Sequence, residues 1–181
     1  MIEIDAGFIG IFKIGDNINY NLKILAELYR VNNESNEYVF NKPITIFIAS
    51  IIEALLYDFH FKAKRYTLEG IKNISNNVLD YIRSKNIDKL ERYIASAKKH
   101  NIFNAQNKKL YDDLKDLSKL RNRIHIQNEK NDFESDESSV FTNDRRILAE
   151  KLLEEVMKSM AENHNRNHKH VENFRLPWGG E

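Results

Sequence analysis

The apolar run ITIFIASIIEALLY, residues 44–57, constrains the fold more than any other part of this sequence. It is interrupted by Glu53, and Pro43 stands directly before it. Proline suits the first turn of a helix, because an amide hydrogen there has no intrahelical partner. The run is shorter than the roughly 20 residues that a membrane-spanning helix needs. We therefore predict a buried helix over residues 43–61 at the centre of a bundle, and no membrane association.

Helical periodicity recurs along most of the remaining chain. Apolar residues three and four positions apart predict helices over residues 18–30, 68–84 and 107–126. Asn86 can cap a further helix, and Thr142 can cap a last long one. The chain has only 6 Gly and 2 Pro, the residues that most favour tight turns, so few such turns are expected. We expect an all-α fold, an antiparallel bundle of five or six helices.

Three segments are expected outside the helices, and one domain is expected overall. Within residues 1–15, apolar residues alternate with other residues over short stretches, which predicts an extended or β N-terminal arm. Residues 128–141 are rich in acids and serines without apolar periodicity, which predicts an acidic mobile loop. Residues 164–181 form a polar and aromatic tail that can dock on its own bundle or on a second subunit. A chain of 181 residues needs no second domain, so residues 1–181 are treated as one.

Cysteine and histidine usage predicts no metal site and no cofactor. The chain has no cysteine, which excludes disulfides and is compatible with a reducing cytoplasm. His164 and His168 are one helical turn apart, but no acid completes a ligand set at helical spacing. His60 and His100 are isolated, and each is expected at a helix end or on the surface. The first residues carry acids where a signal peptide needs bases, so a cytoplasmic location is expected.

Positive charge is concentrated in the middle of the chain. Residues 61–130 contain 17 Lys and Arg against 8 Asp and Glu, although the net charge of the whole chain is only +1. Such a region can attract a polyanion by displacing its counterions, or it can be a set of solvated helix faces. Its aromatic residues fall mostly on or beside apolar stripes, which indicates core packing and not base stacking: Tyr66, Tyr81, Tyr93, Phe103 and Tyr111.

The stretch LRNRIHIQN, residues 120–128, ends the predicted helix over residues 107–126. On a helix, Arg121 and His125 lie about 40° apart, so that both can reach one phosphate. A histidine with a pKa of about 6.5 can transfer protons to and from RNA oxygens. An arginine presents a fork of donors that matches phosphate oxygens.

Further residues surround this pair, and a structural alternative stays open. Asn122 can add a hydrogen bond to phosphate, and Arg123 and Lys119 are further RNA-binding candidates. In the alternative, Arg121 pairs with Glu53 or with an acid of residues 128–139, while His125 caps the last carbonyls of its helix. A buried carboxylate without a partner is costly, so a partner for Glu53 is expected in either case.

Two stretches, LRNRIHI at 120–126 and SIIEALLYDF at 50–59, resemble the HEPN superfamily of small all-α domains in prokaryotic defence and toxin systems. The resemblance implies a homodimer with two Arg–His motifs in one groove and a metal-independent ribonuclease. It also implies that Arg121 holds the phosphate, that His125 is the general acid or base, and that an antitoxin or defence protein is a partner.

The motif departs from that family in two respects. Three residues separate Arg121 from His125, where the family has four to six. Gln127 stands where toxins of HEPN and minimal nucleotidyltransferase pairs carry a tyrosine, which speaks against modification by such a partner. The alternative function is a non-catalytic helical dimerisation or protein-interaction module. An accessible His125 favours the RNA hypothesis, and a capped or buried one favours the module.

Overall fold

Seven helices and one small sheet make up the described part of the chain in a computed structural model, which describes residues 2–34, 38–65, 73–106, 109–126, 133–166 and 170–179. The helices are α1 (Phe12–Glu34), α2 (Asn41–Arg65), α3 (Asn76–Ser84), α4 (Leu90–His100), α5 (Lys109–Asn122), α6 (Glu137–Val140) and α7 (Asn143–His164). A 3-10 turn at Tyr38–Phe40 precedes α2, and the strands are β1 (Ile2–Ile4) and β2 (Phe174–Leu176). The predicted all-α bundle with a short N-terminal strand is confirmed.

Helix α2 lies at the centre of the bundle, as its apolar sequence predicted. It contacts α1, α3, α4, α5 and α7. Burying each large aliphatic side chain contributes about 1.5–3 kcal/mol, so α2 supplies a large share of the core. Its aliphatic core residues are Ile44, Ile48, Ile51, Ile52, Leu55 and Leu56.

The same helix meets a simple test for membrane spans. By length and composition alone, the helical stretch Tyr38–Arg65 is apolar enough to cross a membrane. The core helix of a water-soluble protein also meets this test, and 50% of the most apolar window here is buried inside the protein. The absence of membrane association therefore stays a prediction from the sequence.

The N-terminal arm and the C-terminal tail pair with each other. Strands β1 and β2 are antiparallel neighbours, and Phe174 and Leu176 of β2 are completely buried. Phe8 meets Phe174 edge to face, with 5.9 Å between the ring centroids. Trp178 lies against Tyr29 of α1. The tail thus docks its aromatic residues on its own bundle, which is one of the two arrangements that the sequence left open.

A buried ion pair on α2 holds the end of the N-terminal arm. Asp58 and Lys62 are 1% and 2% exposed, and their charged atoms lie 3.2 Å apart. The Asp58 carboxylate also accepts hydrogen bonds from the backbone amides of Gly10 and Ile11, at 3.0 and 2.8 Å. The Lys62 ammonium donates to the Phe8 carbonyl. Burial lowers the pKa of Lys62, and the neighbouring Asp58 opposes that shift.

Helix starts differ from the prediction at three places. Helix α1 begins at Phe12, before the predicted residue 18, so the arm is shorter than expected. Helix α3 begins at Asn76, and the predicted residues 68–72 lie outside the described part of the chain. Asn86 does not cap α4, because its side chain donates to Asp88 at 3.2 Å and the helix begins only at Leu90.

The predicted mobile loop over residues 128–141 contains a short helix at its end. Asp136 caps α6, and its carboxylate accepts a hydrogen bond from the Ser138 amide at 3.2 Å. Val140 and Phe141 are buried, so two apolar residues attach this acidic segment to the core. Residues 128–132 lie outside the described part of the chain. The cap predicted for α7 is confirmed, because the Thr142 hydroxyl accepts from a backbone amide at 3.3 Å.

Two histidines that were expected on the surface or in the tail are core residues. His60 is 1% exposed, and its Nδ1 bonds to the Leu56 carbonyl at 2.7 Å. Since α2 continues to Arg65, His60 is not at a helix end. His164 is 5% exposed, and its Nε2 bonds to the Ile102 carbonyl at 2.9 Å. In both cases the imidazole is buried with a backbone carbonyl as a hydrogen-bond partner.

Candidate functional site

The turn after α5 carries the Arg–His motif. Helix α5 ends at Asn122, and the next three backbone amides each bond to a carbonyl three residues earlier. Arg121 therefore lies in the last turn of the α-helix and His125 lies in the turn beyond it, so the separation of about 40° that an α-helix would give does not apply. The prediction that both residues share one helix face is therefore wrong, because the α-helix stops between them.

Arg121 forms an ion pair with Glu53 of α2. The Arg121 Nη2 and Glu53 Oε2 atoms are 2.7 Å apart, and the two side chains are 35% and 26% exposed. Glu53 thus has the partner that its position predicted. Since ion pairs with this degree of exposure contribute only about 0–1 kcal/mol, an incoming anion can compete with Glu53 for the guanidinium.

His125 is exposed in the turn beyond the helix. Its backbone amide bonds to the Asn122 carbonyl, but its side chain has no hydrogen bond, ion pair or ring contact with any described residue. It does not cap the helix carbonyls, so that part of the structural alternative is wrong. Its neighbours Ile124 and Ile126 are 51% and 84% exposed.

The other candidates of the motif have different surroundings. Arg123 is only 7% exposed, and its guanidinium donates to the backbone carbonyl of Glu134. Arg123 is therefore not placed to bind RNA, because its guanidinium is buried against Glu134, a residue of the acidic segment. Lys119 donates to Asp116 at 3.2 Å, one turn earlier on α5. Asn122 is exposed at the end of the helix.

A row of side chains continues from Glu53 along the outer side of α2. Glu53, Tyr57, Phe61 and Arg65 are spaced four residues apart, so neighbouring residues of this row are about 40° apart and the whole row turns by about 120° around the helix. Tyr57 is 40% exposed, and its ring centroid lies 5.8 Å from that of Phe61. The Arg65 guanidinium lies over the Phe61 ring at 4.9 Å. We call these four residues the α2 row; sequence analysis missed it, although the four-residue spacing is visible.

No metal centre accompanies these residues in the part of the chain that the structure describes. Within it, no group of three or more His, Cys, Asp or Glu lies close enough to hold an ion. His168, one of the two tail histidines that are a helical turn apart in sequence, lies outside the described residues. A large groove between α1 and the C-terminal tail is lined by neither Arg121 nor His125.

Comparison with family models, with curated proteins and with solved structures found no match for this chain. The resemblance to HEPN domains at residues 50–59 and 120–126 therefore stays a prediction from the sequence. Function has to be inferred from the chemistry of the site.

Proposed function

We propose that this protein is a cytoplasmic, HEPN-like RNA-binding protein that contacts an RNA phosphate through Arg121 and His125. The supporting observation is the exposed His125, whose imidazole is not engaged by any described side chain or carbonyl. An accessible imidazole of this kind can reach the oxygens of a bound RNA strand. The partly exposed Arg121 guanidinium keeps one of its nitrogens on Glu53 and has further donors for a phosphate.

In its active form the protein would be a metal-independent ribonuclease. The ribose 2′-oxygen bonds to the adjacent phosphorus, and the bond from phosphorus to the 5′-oxygen breaks. His125 takes the 2′-proton or gives a proton to the leaving oxygen, and Arg121 stabilises the charge on the phosphate. The products are a 2′,3′-cyclic phosphate and a 5′-hydroxyl. An antitoxin or defence protein would be the natural partner of such an activity.

Self-association at the turn after α5 is part of this proposal. Ile124 and Ile126 are both more than half exposed and flank His125 in sequence. Adjacent exposed aliphatic residues are typical of protein contacts. A two-fold contact here would bring two copies of Arg121 and His125 to one groove. The same observation favours the second candidate function, a non-catalytic dimerisation or protein-interaction module.

Cleavage of mixed cellular RNA in the presence of chelator tests the catalytic form. The wild-type protein is expected to leave cyclic phosphate ends. His125→Ala and Arg121→Ala are each expected to reduce the rate by about 100-fold or more, because general acid–base and electrostatic catalysis contribute on that scale. His170→Ala, a substitution of an exposed tail histidine, serves as control. Cleavage that persists in His125→Ala contradicts the assignment.

The dimer contact has its own test. Ile126→Asp is expected to shift the protein from dimer to monomer in sedimentation velocity, because burying a carboxylate in an apolar contact is costly. Val39→Asp is the control, since Val39 is 61% exposed at a different place, the 3-10 turn before α2. A wild-type monomer, or an unchanged Ile126→Asp dimer, would remove this turn from the interface. Dimerisation without any RNA binding would favour the interaction module.

A further inference from the structure

We propose that the α2 row is a track for single-stranded RNA that leads to Arg121. The inference rests on the proposed function and names its substrate class. It assigns RNA contacts to residues for which the sequence predicted none, and it gives a role to two partly exposed aromatic rings beside the site.

Charge is placed at both ends of the row. From Glu53 to Arg65 the helix rises by about 18 Å, because each residue adds about 1.5 Å. Arg121 stands at the Glu53 end, and Arg65 with the exposed Lys64 stands at the other end. Glu53 is the acid of the row and pairs with one guanidinium nitrogen of Arg121, so a phosphate at this end is bound by the remaining guanidinium donors. Two phosphates of one strand that are several nucleotides apart can therefore be bound at the two ends.

The aromatic rings between these ends suit base stacking. Tyr57 is 40% exposed, and its inner side is held by the buried Tyr93, whose ring centroid is 6.4 Å away. The contact with Phe61 fixes the ring further. A base that stacks on such a supported ring restricts little additional motion. Stacking is tolerant of base identity, since every base has an aromatic face.

The same features favour single strands over duplex RNA and over a protein partner. Bases in a duplex stack on each other and leave no face free for Tyr57, whereas unpaired bases can be splayed onto aromatic side chains. Arginine over an aromatic ring, as Arg65 lies over Phe61, is also a common element of single-strand platforms. The exposed aliphatic residues Ile124 and Ile126, by contrast, have the composition of a protein contact.

Fluorescence anisotropy with a labelled oligouridine, alone and annealed to oligoadenine, tests the track. The single strand is expected to bind at least about 10-fold more tightly than the duplex. Tyr57→Ala is expected to weaken binding by about 5- to 150-fold, the equivalent of one lost base stack. Tyr57→Phe should retain the affinity, because the ring is kept. Tyr20→Ala is the matched control, because Tyr20 is 66% exposed on α1.

A second measurement separates charge from stacking. Arg65→Ala is expected to reduce the slope of the logarithm of affinity against the logarithm of salt concentration by about 0.7, the value for one phosphate contact on a single strand. Tyr57→Ala should leave that slope unchanged. Thermal melting followed by circular dichroism shows whether each variant is folded.

Three results would overturn the track. If Arg121→Ala weakens binding and folded Tyr57→Ala does not, the proposed function stands and the track is wrong. If Tyr57→Ala turns a dimer into a monomer, the row is a protein contact. If the wild-type protein binds neither form of the RNA, the proposed function fails and the track fails with it.

Discussion

Asp58→Asn is expected to lower the free energy of unfolding by about 3–5 kcal/mol, the cost of breaking a buried ion pair by removing one partner. The substitution keeps the shape of the side chain but leaves the ammonium of Lys62, 2% exposed, without its counter-charge. It also removes one of the two carboxylate oxygens that accept hydrogen bonds from Gly10 and Ile11. The N-terminal arm thereby loses its main polar attachment to α2.

Urea unfolding followed by far-UV circular dichroism measures this loss. Asp88→Asn is the matched control, because Asp88, which lies two residues before α4, forms an exposed ion pair with Arg92 at the same four-residue spacing. There the expected loss is about 0–1 kcal/mol. Adding Lys62→Met to Asp58→Asn should recover part of the stability, because the unpaired charge is gone. Equal losses at Asp58 and Asp88 would show that the buried pair has no special role.

Acid is expected to destabilise the protein through His60. Burial lowers the pKa of His60 from 6.5 to about 4 in the folded protein. As pH falls below 6.5, the unfolded chain binds a proton at this position and the folded protein does not, so the unfolded state gains relative stability. The loss attributable to His60 amounts to about 2.5 kcal/mol at pH 4.5.

The free energy of unfolding is measured for wild type and for His60→Gln, each at about pH 7 and at about pH 4.5. The difference between their pH responses isolates the contribution of His60 from that of the carboxylates. His60→Gln is expected to be destabilised at the higher pH, where its packing is worse than that of wild type, and to lose less stability on acidification. His125→Gln, at an exposed histidine, is the control and should lose as much as wild type. An identical pH response of wild type and His60→Gln would mean that His60 is protonated in the folded state.

The apolar pattern of the sequence was sufficient to predict the central helix but not its buried charges. The apolar run over residues 44–57, with Pro43 directly before it, predicted a central buried helix, which corresponds to α2. Asp58 and Lys62 follow it as an ordinary pair of charged residues. Their burial depends on Phe8 and Gly10, which are about 50 residues away in sequence and contribute backbone atoms only. Side-chain periodicity contains no information on such partners.

At the candidate site, too, some features could be predicted from the sequence and others could not. The partner of Glu53 could be predicted, because a carboxylate within an apolar helix face needs a counter-charge. The geometry of His125 could not, because the prediction extended α5 past Asn122, where the backbone changes its hydrogen-bonding pattern. The four-residue spacing of the α2 row can be read from the sequence. Its exposure depends on which face of α2 the neighbouring helices leave uncovered, and only the packed bundle determines that.

The pairing of β1 with β2 sets an order for folding. Ile4 and Phe8 are synthesised long before Phe174 and Leu176, the strand β2 residues that bury this part of the arm. At about 5–20 residues per second, the two halves of this contact leave the ribosome many seconds apart. The helices, which depend more on local contacts, can form during that interval. Only a chain that has been synthesised through Leu176 can complete its core, and until then Phe8 is an exposed apolar side chain available to chaperones.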